Sequence, residues 1–108
     1  MSYYNKEKYH QALPFAKWLK EQRILLDENK GMQAKRIGIA LSELTKLSNG
    51  TRTITKAKLE QIAFAYRLTP VEKKEMYIAS LPLKLYQMAQ SDADTIDVAI
   101  YAKYGVEL

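Results

Sequence analysis

Between Ile37 and Gly50 the chain reads IGIALSELTKLSNG: a glycine interrupts a helical pattern that resumes at once, and Asn49-Gly50 stops it twelve positions after Gly38. Glycine and asparagine tolerate the left-handed backbone at which helices end, so these positions act as punctuation. The interval leaves room for one short helix, Ala40 to Ser48, with Leu44 and Leu47 three apart on its inner face. A helix this short is not stable alone in water, so its neighbours must cover those leucines.

The remaining sequence has the same helical grammar. In PFAKWLKEQRILL, Phe15, Trp18, Leu19, Leu25 and Leu26 fall near one face, and Pro14 suits a first helical position, where its missing N–H costs nothing. A second helix is expected to start after Asp27 or Asn29 and to reach Arg36 or Ile37. Thr55 caps a fourth, with Leu59, Ile62, Ala63 and Tyr66 inward. Thr69-Pro70-Val71-Glu72 combines a capping threonine, an N-terminal proline and a glutamate able to reach back to the cap, predicting a fifth helix from 70 to about 80. Pro82 stops it. In SDADTIDVAIYAKYG, Ser91 caps, Asp92 and Asp94 sit at the positive helix end, and Gly105 terminates; its wide apolar stripe must pack on its own core or on another subunit. No β-type alternation persists, so the fold class is all-α.

With 108 residues the chain has room for one modest core. It lacks cysteine and has one histidine, which removes disulfides and the common zinc sites, and no cofactor motif stands out. No run of eighteen apolar residues occurs, and MSYYNKEKYHQ has no apolar core of a secretory signal; a cytoplasmic location without membrane contact is expected. The net charge of +5 is uneven: residues 31–60 carry six Lys/Arg against two acids, whereas residues 91–108 carry one against four. Such a basic centre attracts polyanions.

Two short helices around a glycine turn, then a polar loop and a further helix, form the layout of a helix-turn-helix. The sequence resembles the λ-repressor and Cro-like (Xre) family of DNA-binding domains. Gly38 and Gly50 fit that family's interval, Leu44 and Leu47 its inward recognition-helix positions, and LEQIAFAYRLTP, Leu59 to Pro70, its following helix. Upstream, Arg23 falls at the helix-one arginine, Asn29 at the capping position and Ala34 at a small helix-two residue, so the likeness covers about residues 15–80. Departures are Lys30 for the helix-two glutamine, Gln33 for an inward leucine, Ala40 for the recognition-helix cap and Ser48 for a glutamate.

The resemblance implies a bundle of about five helices plus one or two C-terminal helices. The expected division is an arm or helix extension (1–13), a helix-turn-helix domain (14–81) and a helical tail for packing or dimerisation (82–108). It further implies a regulator, expected to be a repressor, that occupies a palindromic operator in double-stranded DNA as a homodimer. Leu41, Ser42, Thr45 and Lys46, opposite the leucines, are the implied base readers in the major groove; Lys30, Asn49, Thr51 and Arg52 are the implied phosphate contacts. No nucleophile–base pair, paired carboxylates or phosphate loop suggests an enzyme, and no small-molecule substrate is implied. The rival is a helical protein-binding adaptor, antitoxin-like or phage-encoded, which predicts salt-insensitive binding to a protein.

Overall fold

A computed structural model describes residues 6–49, 54–91 and 93–107. Among them are seven α-helices and no strand: α1 (Lys6–Leu26), α2 (Lys30–Ile37), α3 (Leu41–Asn49), α4 (Lys56–Tyr66), α5 (Pro70–Ala79), α6 (Leu83–Ser91) and α7 (Ala93–Tyr104). None of the described helices is long and apolar enough to cross a membrane. Packing divides the chain between Thr53 and Ile54 into two compact units.

In the first unit α3 packs against both α1 and α2. Phe15, Trp18 and Leu19 are buried on α1, the Phe15 and Trp18 rings stacked with centroids 5.8 Å apart. Ala34 and Ile37 are buried on α2, and Leu44 and Leu47 on α3. Pro14 is not the first helical residue the sequence suggested, since it lies inside α1, which begins at Lys6. Lacking an N–H, it cannot donate to the carbonyl four residues back, but the helix continues through it. Leu25 and Leu26 also depart from expectation, being 74% and 46% exposed. They repeat the angular positions of Trp18 and Leu19 two turns on, so periodicity assigns them the right face. No described element covers that face at the last turn.

In the second unit α5 contacts α4, α6 and α7, and α6 packs along α7. Its buried side chains are Leu59, Ile62, Met76, Tyr77, Leu81 and Ile100, with the smaller Ala63, Ala79 and Ala99 between. Thr55 caps α4, accepting from the Lys58 N–H, and Arg67 closes it in the left-handed conformation. The capping box forms as the sequence predicts: the Thr69 hydroxyl accepts from the Glu72 N–H at 3.2 Å, and Glu72 Oε1 accepts from the Thr69 N–H at 2.8 Å. Helix α7 packs on α5 and α6 within this unit. Ala99 and Ile100 are buried, and the Tyr104 ring meets Tyr77 edge-on at 5.2 Å with its hydroxyl 2.9 Å from Ser80 Oγ. Val98 and Tyr101 stay outside, 67% and 57% exposed.

Two carboxylates tie this unit to pH. Burial alone raises the Glu60 carboxyl, but the Lys73 ammonium at 2.7 Å and the Tyr77 hydroxyl more than offset this and hold it below its ordinary value. The Glu72 carboxyl is lowered by the Thr69 N–H. A depressed carboxylate stabilises the fold above its unfolded-state value, here 4.5, and that stability is lost as pH falls through the folded value. Thermal midpoints followed by circular dichroism are therefore expected to hold from pH 7 to about 5 and to drop below about 4.5. Glu60→Gln is expected to remove part of the drop. A midpoint unchanged into strong acid contradicts the assignment.

Candidate nucleic-acid interface

The turn before α3 is built by glycine. Gly38 sits at φ 89° and ψ 35°, where a side chain is strained, and closes α2 by donating its N–H to the Ala34 carbonyl at 2.9 Å. Ile39 donates to the same carbonyl at 3.0 Å, completing the turn in two residues before Ala40 accepts from Leu44 N–H at 3.1 Å and α3 begins. Helix α3 starts one residue later than the sequence suggests, at Leu41.

Leu44 and Leu47 are 0% and 1% exposed, which fixes the rotation of α3 about its axis. The opposite edge consequently faces solvent: Leu41, Ser42, Thr45 and Lys46 are all exposed, Leu41 by half. The Thr45 hydroxyl donates to the Leu41 carbonyl at 3.0 Å, leaving its oxygen available as an acceptor, while Ser48 Oγ donates to the Leu44 carbonyl. Glu43 is half-buried. The edge thus carries one ammonium, two hydroxyls and one apolar side chain, a set able to meet base edges and a thymine methyl.

Of the residues assigned to phosphate, Lys30 is exposed and is the first residue of α2, next to Asn29. Asn29 is the N-cap: its Oδ1 accepts from the Met32 N–H at 2.8 Å. Lys30 therefore adds its charge to the positive end of the α2 dipole, a place where anions are favoured. Asn49 is the last residue of α3 and is half-buried. Gly50, Thr51 and Arg52 lie outside the described residues, as does Asp92.

One anchor of this surface is absent from the residues picked out by sequence. Gln33, a polar residue at an inward position, is fully buried. Its Nε2 donates to the Leu19 carbonyl at 2.9 Å and its Oε1 accepts from Arg23 Nη1 at 2.8 Å, so the amide ties α2 to α1. The signal for it in the sequence is a helix-one arginine, Arg23, together with an amide at an inward position. A second tie runs from Arg36 to Glu28, whose carboxylate accepts from Nε at 2.9 Å and from Nη2 at 2.8 Å. This forked pair occupies Arg36 at the surface beside exposed Lys35.

Among the described residues no group of three His, Asp or Glu is placed to hold a metal ion. Compared with protein-family models, curated proteins and solved structures, the chain matches none.

Proposed function

We propose that the chain is a sequence-specific double-stranded DNA-binding regulator of transcription, of the λ-repressor and Cro-like (Xre) kind, acting as a repressor that occupies a palindromic operator as a homodimer. The observation that supports this reading is α3 itself: a nine-residue helix pinned by two buried leucines, entered through a left-handed glycine, with four side chains of base-reading chemistry on its outer edge. In this reading α3 enters the major groove. Lys46 donates to guanine O6 and N7, Ser42 donates or accepts, Thr45 accepts, and Leu41 covers a thymine methyl. Lys30, Asn49, Thr51 and Arg52 hold the phosphates on either side and set the register. Positive charge in the central segment supplies the sequence-independent part of the affinity.

Arg52→Ala tests the phosphate role. Binding to every duplex is expected to weaken by a similar factor, and the slope of log affinity against log salt is expected to fall by about one. Titration of a fluorescent duplex at several salt concentrations measures both. An unchanged slope removes Arg52 from the interface.

A protein-binding adaptor is the second reading. It is favoured by the exposed apolar side chains Ile24, Leu25, Phe64 and Val98. It predicts no duplex binding at low salt.

A further inference from the structure

The second unit carries two different apolar surfaces, each built at a left-handed helix end. Arg67 closes α4 at φ 50° beside Phe64, whose ring is 86% exposed, and the two line one groove with Glu60, Ala63, Leu68 and Lys73. Gly105 follows α7 at φ 68° and donates its N–H to the Tyr101 carbonyl at 2.8 Å. That turn brings Val106 and Glu107 beside Val98 and Tyr101, and with Asp97 these residues line a shallow hollow of about 300 Å³. A cavity of about 150 Å³ already holds a benzene ring.

The two surfaces differ in sign. In the groove Lys73 Nζ lies 2.7 Å from Glu60 Oε1, so that pair cancels and Arg67 leaves the lining net positive. In the hollow Asp97 is offset by Lys74 Nζ at 3.0 Å, and Glu107 leaves the lining net negative. Lys73 and Lys74 are consecutive on α5, so both surfaces border the same helix. We propose that they pair between two copies of the chain about a two-fold axis: Phe64 of each copy enters the Val98, Tyr101 and Val106 hollow of the other, and Arg67 of each meets the other's Glu107.

A two-fold contact needs one patch to meet a second patch and the reverse, so neither has to complement itself. Pairing like with like is disfavoured, because groove on groove sets Arg67 near Arg67 and hollow on hollow sets Glu107 near Glu107. Cross-pairing avoids both conflicts and makes each contact twice. Its chemistry also matches: Val98 and Tyr101 are 67% and 57% exposed, and the Tyr101 ring offers a face to both an aromatic edge and a guanidinium.

This inference names the surfaces behind the homodimer proposed above and rests on that part of the reading alone. Sedimentation equilibrium of the full chain tests it. The wild type is expected to approach twice the single-chain mass as concentration rises, and Phe64→Asp and Val98→Asp each to stay at the single-chain mass. Arg67→Glu and Glu107→Arg are each expected to weaken association about tenfold. The double variant restores an ion pair of reversed sense and is expected to recover most of that loss. All four positions are exposed, so every variant is expected to keep the wild-type circular dichroism and melting midpoint. A wild type that stays at one-chain mass, a mass that climbs past two chains, or a double variant no tighter than the single ones overturns the proposal. Titrating the same proteins with a mixed-sequence duplex separates this result from the DNA reading. Phe64-dependent dimers that bind no duplex leave the contact standing and remove DNA recognition; duplex binding by a strictly monomeric wild type does the reverse.

Discussion

Leu44→Ala is expected to unfold the first unit at temperatures where the second remains folded. Leu44 is fully buried on α3 between α1 and α2, and removing a buried leucine down to alanine costs about 3–4 kcal/mol in transfer free energy and residual cavity. A unit of this size is expected to hold only about 3–5 kcal/mol in total, so the change consumes most of it. Trp18, the single tryptophan, is buried in the same unit and offers a local probe. Its emission is expected to shift to the red in Leu44→Ala while the helical signal of the second unit persists. Duplex binding is expected to vanish with the fold. Thr45→Ala, at an exposed position one residue on, is the matched control and is expected to leave the melting midpoint in place. A Leu44→Ala protein that melts like wild type contradicts the inward placement of α3.

Lys46→Ala carries the largest expected effect on recognition. The side chain is exposed, so stability is expected to change little. One good contact to guanine is worth about 1–3 kcal/mol of discrimination, or roughly 5- to 150-fold in affinity at a single base pair. The preference at that base pair is expected to relax while the preferences elsewhere in the site persist. This contrasts with Arg52→Ala, whose expected loss is uniform across sequences. Competition between a preferred duplex and single-position variants measures the pattern. An equal loss on preferred and random duplexes removes Lys46 from base reading.

The parts legible in the sequence are those decided by local contacts. Asn29, Thr55 and Thr69 each accept from the backbone N–H three residues ahead, and Gly38 and Gly105 take the left-handed backbone. These features depend on a few neighbouring residues, so pattern alone finds them. The inward stripes of α3 and α4 were legible too, because Leu44, Leu47, Leu59 and Ile62 find covering helices. Where pattern failed, the deciding group lies far along the chain. Leu25 and Leu26 have the periodicity of core residues, yet nothing in a helical period states whether an element lies opposite. Gln33 stands as a polar residue at an inward position, and the partners that satisfy it, a carbonyl fourteen residues earlier and Arg23, lie outside any local pattern. Pro14 fits the start of a helix by local rules, yet α1 begins at Lys6.

Selection of bound duplexes from a random pool, run at low and moderate salt, tests the central claim most directly. The account predicts enrichment of one short sequence repeated as an inverted pair, half-sites about one helical turn or a multiple of it apart, with total retention falling steeply as salt rises. A pool that emerges without enrichment, or that is not retained even at low salt, contradicts it.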